Sequence, residues 1–349
     1  MKKTIYILGI ESSCDETAAS ILKVEAGNFE ILSSVISSQV KVHAKFGGIV
    51  PEVAARLHIE KVLPIIESAV AKAGLEMEQV DYLAVCSGPG LVSSLMVGLE
   101  TAKVLAHAFN KPLVRINHIE GHLLSISEKL KFPAIGLVVS GGHTQIILAK
   151  DYLKYELLGE TRDDAAGEAF DKVSKILDLG YPGGPAISKI AETSNSSDLK
   201  LEIKLPRPML DSKNYDMSFS GLKTAVLYKW QELKETLNKK DLEKSKVLVA
   251  KEFQQSVVDV LITKTLKAVK EYKAKTLVIG GGVSANKLLR SAFDKNIKET
   301  LPSVEFLVPE LSMTGDNAAM IAQAAYYHIK KKDFADPLNL TADPNWQLV

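Results

Sequence analysis

Two histidines stand four residues apart in Asn117-His118-Ile119-Glu120-Gly121-His122. On a helix, residues i and i+4 project from one face, one turn apart. Two imidazoles so placed can chelate one ion, and a third ligand must then arrive from elsewhere. Asp316, in Met313-Thr314-Gly315-Asp316-Asn317-Ala318, opens the last long helical stretch. It reads either as an N-cap or as the carboxylate that completes a two-histidine, one-aspartate site. Glu11 lies at a strand end beside Ser12 and Ser13, and reads either as a carboxylate facing a cleft or as a turn residue. Asp164, Glu168 and Asp171 are spaced i, i+4 and i+7, which puts three carboxylates on one helix face. Like charges so close call for water, a cation or hydroxyl donors, or else form a solvated acidic face. Ala165, Ala166, Gly167 and Ala169 leave room there for another backbone to approach.

The elements that must position these groups are repeated. Residues 4–24 read as a strand, a small polar turn from Glu11 to Glu16, and a second strand, Ala18 to Leu22. Residues 134–149 follow the same plan: Ile135 to Val139, the turn Ser140-Gly141-Gly142-His143, then Thr144 to Leu148. A second pair follows suit. Tyr82 to Cys86 runs into Ser87-Gly88-Pro89-Gly90 and an apolar-periodic stretch at 92–109; Thr276 to Ile279 runs into Gly280-Gly281-Gly282 and the stretch from Ser284 to Phe293. Where a strand ends at glycines and a helix begins, unpaired N–H groups and the helix dipole favour an anion such as phosphate. Two pairs in the same order predict an α/β protein with two similar halves facing a shared cleft. Helical periodicity is expected at 56–73, 92–109, 118–130, 164–178, 218–237, 243–273 and 315–331. The stretch 243–273 carries an apolar stripe (Val247, Val249, Phe253, Val257, Leu261, Leu266) and reads as a core-packed helix. Tyr181-Pro182-Gly183-Gly184-Pro185 is a turn before a further helix. Ser194 to Asp198 and Leu205 to Pro208 mark a loop excursion. The expected organisation is a first lobe over 1–112, a second over 113–317, a helix at about 318–335 that packs back on the first, and an irregular tail at 336–349.

Bulk properties narrow the class. The chain has 349 residues and a net charge of +1, so composition alone does not announce a nucleic-acid binder. Lysines between Lys223 and Lys275 and at Lys330-Lys331-Lys332 read as solvated helix faces. Cys14 and Cys86 are the only cysteines, which argues against a disulfide framework and permits a reducing compartment. No stretch approaches the ~18 consecutive apolar residues of a membrane span, and the apolar run after Thr4 is too short for a signal peptide; a cytoplasmic location is expected.

The chain also resembles a known family. The resemblance rests on Ile10 to Thr17, Phe46 to Glu52, Ser87 to Leu91, Asn117 to His122, Val139 to Thr144, Phe219 to Thr224, Gly281 to Asn286 and Asp316 to Ala319, all in order. These segments are similar to those of the bacterial tRNA N6-adenosine threonylcarbamoyltransferases, formerly labelled O-sialoglycoprotein endopeptidases. The resemblance implies two related ribonuclease H-like lobes of the actin, Hsp70 and sugar-kinase (ASKHA) type around a nucleotide cleft. It implies one divalent metal ion per subunit on His118, His122 and Asp316, iron(II) first and zinc as the alternative. It also implies that Val139, Ser140, Gly141, Gly142, His143, Asp171, Gly184 and Asn286 bind an adenine nucleotide as substrate and product. Ser188 stands where some relatives have an acidic residue on the ribose. Val139 stands where relatives outside bacteria often have a tyrosine near the metal, and a valine cannot ligate.

The implied reaction moves a threonylcarbamoyl group from threonylcarbamoyl-adenylate to N6 of the adenosine 3′ to the anticodon, in tRNAs reading codons that begin with A, and releases AMP. Glu11 is the candidate acceptor of the amine proton. Implied partners are tRNA, an inactive paralogue subunit, a small P-loop ATPase and a separate synthase that makes the adenylate; no membrane is implied. Two other readings stay open. A metallopeptidase of the His-Glu-x-x-His kind needs Glu directly after the first histidine, whereas Ile119 stands there and Glu120 is turned about 100° away. A kinase or nucleotide-dependent scaffold of the same fold would need no histidine pair.

Overall fold

The computed structural model describes residues 4–126, 129–193 and 201–348. Two compact units divide the chain: Met1–Lys129 with Pro309–Val349, and Leu130–Val308. The first contains β1 (Thr4–Glu11), β2 (Glu16–Glu25), β3 (Asn28–Ser38), α1 (Val40–His43), α2 (Pro51–Lys72), β4 (Tyr82–Gly88), α3 (Val92–Ala108), β5 (Leu113–Asn117) and α4 (His118–Leu123). The second contains β6 (Ala134–Val139), β7 (Thr144–Asp151), β8 (Lys154–Glu160), α5 (Ala166–Ile176), α6 (Gly183–Ala191), α7 (Ser220–Thr236), α8 (Lys239–Glu271), β9 (Thr276–Gly280), α9 (Lys287–Thr300) and β10 (Glu305–Leu307). The chain then returns to the first unit with α10 (Ala318–Lys331).

Each unit is built on a five-stranded sheet, ordered β3-β2-β1-β4-β5 in the first and β8-β7-β6-β9-β10 in the second. In both, three antiparallel strands are followed by two parallel ones. The duplication legible in the sequence is therefore a duplication of topology. Helices explain why the central strands are apolar throughout. Gly9 of β1 abuts α10 and the neighbouring Ile10 abuts α3, so successive residues meet helices on opposite faces. Ile7, Leu8 and Ile10 are fully buried in consequence, each burial contributing about 1.5–3 kcal/mol. In the second unit the α8 stripe is core as expected, with Phe253 edge-on to Phe170 at 5.1 Å.

Several boundaries differ from the sequence expectation. The first unit runs past Pro112 to Lys129, because β5 pairs in parallel with β4 and carries α4 with it. The periodic stretch 118–130 is helical only to Leu123; Leu124, Ile126 and Leu130 are buried as irregular chain. Residues Ser194 to Asp198 lie outside the described residues. Arg207, in the second part of that loop, is clamped to Glu252 and Asp259 of α8. The tail beyond Asp336 forms no helix or strand among its described residues, yet Leu340 enters the core of the first unit.

Candidate metal centre and glycine-loop site

The candidate metal centre lies in the first unit, and its parts are set by local chemistry. Asn117, the last residue of β5, caps α4: its side chain accepts from Ile119 N–H at 2.9 Å and Glu120 N–H at 3.4 Å. His118 thus opens a short, buried helix, and His122 lies one turn further along it. Asp316 comes from the approach of α10. Gly9 makes this approach possible, since a Cβ there would lie 2.2 Å from the Ala318 carbonyl oxygen. Asn317 caps α10 by accepting from Met320 N–H at 2.9 Å, so the N-cap is Asn317 and not Asp316.

Asp316 Oδ1 lies 3.5 Å from His118 Nε2 and 3.2 Å from His122 Nε2. Two ligands each about 2.1 Å from one ion stand about 3.0–3.4 Å apart at ordinary coordination angles. Among the described residues neither ring nitrogen of fully buried His122 has an aligned hydrogen-bond partner, and its nearest charged neighbour is Asp316. A buried imidazole nitrogen aimed at a carboxylate without bonding to it fits a metal ligand. The other side of His118 is held: Nδ1 is 3.2 Å from Glu11 Oε2 and 3.1 Å from Ser13 Oγ. Burial pulls the His118 imidazole down, but the Asp316 and Glu11 carboxylates outweigh it and hold it up to about 9. Burial holds His122 below its ordinary value. On the acidic side, burial and then Asp316 and Asp15 push Glu16 up to about 10, a crowding of carboxylates that a cation would relieve.

Glu11 is not placed to take a proton from a substrate amine. It is fully buried, and its other oxygen accepts from Ser13 N–H at 2.5 Å. Glu120 is likewise committed: it pairs with His328 of α10 at 2.9 Å, which leaves the histidine pair without the general base a metallopeptidase needs.

The remaining expected residues all lie in the second unit and form a closed ring of contacts. Val139 ends β6 beside β9, where Val138 pairs with Gly280. After Gly280 a single turn, Gly282–Ala285, leads to Asn286, which caps α9 by accepting from Leu289 N–H. Asn286 Nδ2 donates to Ser188 Oγ at 3.2 Å on α6, one turn from Gly184. Gly183, at the start of α6, donates its N–H to Asp171 Oδ1 of α5 at 2.6 Å. Gly167 of α5 donates to the Ser140 carbonyl at 3.2 Å, closing the ring; a Cβ on Gly167 would meet that oxygen at 2.5 Å. The close approach anticipated from the small residues is this one.

Within the Ser140–His143 turn, Ser140 N–H is spent on the His143 carbonyl at 2.8 Å, and His143 N–H donates to Ser140 Oγ at 3.1 Å. The N–H groups of Gly141 and Gly142 have no acceptor among the described residues. Val139 packs its side chain in the core and presents only backbone. The three-carboxylate face is not formed: Asp164 precedes the helix and pairs with Lys172, as does Glu168, while Asp171 turns to Gly183. Two residues escaped the sequence reading. Ser13 stands in a motif whose hydroxyl gave no hint of a histidine partner 105 residues away. Gln254 accepts from both Ser188 Oγ at 2.8 Å and Asn286 Nδ2 at 2.9 Å, yet it sits inside an apolar helix pattern. Ser188, Gln254 and Asn286 line a cavity of about 770 Å³.

The duplicated sheet places the chain in the actin, Hsp70 and sugar-kinase class of folds. Solved structures agree. The chain superposes on component A of (R)-2-hydroxyglutaryl-CoA dehydratase from Acidaminococcus fermentans with a TM-score of 0.54, over 94% of this chain and 99% of that one, at 16% identity. It superposes on HypF from T. kodakarensis with a TM-score of 0.59, over 97% of this chain and 49% of that one, at 13% identity. In sequence, the model of the tRNA N6-adenosine threonylcarbamoyltransferase family matches residues 30–323. A relative of that name from Geobacillus thermodenitrificans is 46% identical over 100% of this chain and 98% of its own length. Another from Listeria welshimeri is 47% identical over 93% of this chain and 91% of its own. The chain belongs to the tRNA N6-adenosine threonylcarbamoyltransferase family. Among the described residues, no helix is long and apolar enough to cross a membrane.

Proposed function

We propose that this chain transfers a threonylcarbamoyl group from threonylcarbamoyl-adenylate to N6 of the adenosine 3′ to the anticodon, in tRNAs that read codons beginning with A. The observation that carries the reading is 46% identity, along the entire chain, to a relative named for this reaction. The adenylate is a mixed anhydride and already activated. The amine nitrogen bonds to the carbamoyl carbon, the carbon–oxygen bond to phosphate breaks, and AMP leaves. The protein's tasks are to hold the adenylate and to stabilise developing negative charge.

The second unit suits the first task. The free Gly141 and Gly142 N–H groups are donors for phosphate, as in other backbone anion cradles. Asp171, Gly184 and Asn286 stand on the same ring, and Gly184 opens on free space. The adjoining cavity falls in the size range of small-molecule sites. His118, His122 and Asp316 would hold one divalent ion, iron(II) or zinc, as a Lewis acid for a substrate oxygen. Glu11 serves this site by fixing the His118 ring, its Nε2 left towards the ion. With Glu11 so occupied, the amine proton passes to the leaving phosphate.

The chain contains no Gly-x-x-x-x-Gly-Lys-Ser/Thr segment. A separate synthase supplies the adenylate; an inactive paralogue and a small P-loop ATPase complete the working assembly. The test is incubation with labelled threonine, bicarbonate, ATP, tRNA, synthase and these partners, followed by nucleoside analysis. Labelled N6-threonylcarbamoyladenosine, absent when this chain is omitted, is expected. Its absence from the complete mixture overturns the reading.

A further inference from the structure

We infer, on the strength of the metal reading above, that residues 343–346 form a strap that positions His118. The tail reaches the metal centre along a fixed path. Ala335 N–H donates to the Leu113 carbonyl at 2.8 Å, Lys103 Nζ donates to the Leu340 carbonyl at 3.1 Å, and Leu340 is buried. The tail then crosses the ends of β4 and β5. Asp343 N–H donates to the Ser87 carbonyl at 2.8 Å, and Gly90 N–H to the Pro344 carbonyl at 3.2 Å. Gly88 admits this crossing: its φ is +150°, and a Cβ there would lie 1.8 Å from the Asp343 carbonyl oxygen. Finally the Arg115 guanidinium sits 4.7 Å above the Trp346 ring.

From this crossing two lines converge on His118. One passes through Asn117, whose Nδ2 donates to the Trp346 carbonyl at 3.1 Å while its Oδ1 caps α4. A buried asparagine can turn its amide either way, and the flipped form would set Nδ2 against the Ile119 N–H, donor against donor. The Trp346 carbonyl selects the capping orientation. Because α4 has only six residues, with His118 the first, the cap fixes much of that histidine's backbone. The second line passes through the 87–91 loop. Leu91 N–H, next to the residue held by Pro344, donates to the Ser13 carbonyl at 2.8 Å, and Ser13 Oγ touches His118 Nδ1. Trp346 and Pro344 therefore act through Asn117 and Ser13 and are positioning residues.

The test compares the intact chain with one ending at Ala342, which keeps Leu340, and with Asn117→Ser, which keeps an acceptor for the cap but cannot reach Trp346. Each metal-stripped protein is titrated with Co²⁺ against a chelator, its visible absorption recorded, and its melting followed with chelator present. Both variants should bind Co²⁺ about 10- to 100-fold more weakly, with a shifted visible band, as happens when outer-shell partners of a ligand are lost. A merely structural tail would lower the melting temperature and leave Co²⁺ affinity and spectrum unchanged; that result overturns the strap. If the shortened chain does not fold, Asn117→Ser decides alone by the same measure. An intact chain that takes up no Co²⁺ overturns the metal reading itself.

Discussion

The Glu11 carboxylate has one oxygen on the Ser13 N–H and the other 3.2 Å from His118 Nδ1, with no solvent exposure. Burial and prior engagement decide what such a group can do. It can orient a neighbour, but it cannot collect a proton from an incoming substrate. Replacing it by its isostere in Glu11→Gln should therefore leave the fold intact and weaken metal binding by about 10- to 100-fold in a chelator competition. Wild-type affinity in that variant would return Glu11 to a role at the substrate. Gly184 permits the complementary experiment in the other unit. A Cβ there meets nothing within 4 Å, so Gly184→Leu should fold normally. A glycine replaced in compatible backbone commonly adds about 0.4–1 kcal/mol of stability. The new side chain should nonetheless abolish AMP binding in calorimetry; retained affinity would remove Gly184 from the nucleotide site. These two sites differ in how far sequence revealed them. Spacing alone sets His118 and His122 on one helix face, half of a metal site at most. Asp316 is recognisable only as one of two things, because a residue just before a helix can cap it or project away, and Asn317 takes the cap.

At the scale of elements, α4 and α10 are bound by more than the metal ligands. His328 of α10 pairs with Glu120 of α4 at 2.9 Å and with Asp333 at 2.8 Å. Burial lowers the His328 pKa, but these two carboxylates together hold it above its ordinary value. The sign of the consequence follows. A histidine whose pKa is raised by folding contributes in full below the unfolded value of about 6.5, and that contribution is lost as pH rises through the folded value. In metal-free protein, His328→Gln should therefore lower the unfolding midpoint most near pH 6 and less near pH 9. A difference that is constant or grows with pH would exclude this pair as a stabilising contact. The elements themselves were legible where pattern is local: paired strands around a small turn, and a strand ending in glycines before a helix. Parallel pairing leaves no such mark. The joining of β5 to β4 was invisible for that reason, and the first unit was expected to end some 17 residues early, at 112 in place of 129. The overlong expectation for α4 has a different cause. Buried Leu124, Ile126 and Leu130 extend an apolar pattern that irregular chain can also satisfy.

At the scale of the molecule, duplication of topology has not kept the two copies alike. In the second unit, the glycines after β9 lead to the ring that carries Asn286. In the first, the matching Ser87–Gly90 turn after β4 is covered by the tail, through Asp343 and Pro344. On the proposed reading the chemistry is divided, with the candidate metal ligands on one copy and the candidate anion cradle on the other. What the chain does not carry is equally instructive. A net charge of +1 over 349 residues gives the chain as a whole little pull on an RNA of tRNA size, whose binding energy comes largely from phosphate contacts. RNA binding is then expected to be shared with partner subunits, and resetting the site after transfer to depend on the ATPase. Purified alone with tRNA and preformed threonylcarbamoyl-adenylate, the chain should therefore yield at most one modified tRNA per protein. Adding the inactive paralogue, the P-loop ATPase and ATP should convert this into repeated turnover, and RNA binding by the lone chain should weaken less steeply with added salt than binding by the full assembly, since fewer phosphate contacts hold the RNA. Sustained multiple turnover by the lone chain would show that the composite surface is unnecessary. Single-turnover transfer unaffected by the partners would remove them from the cycle while leaving the transfer reaction itself in place.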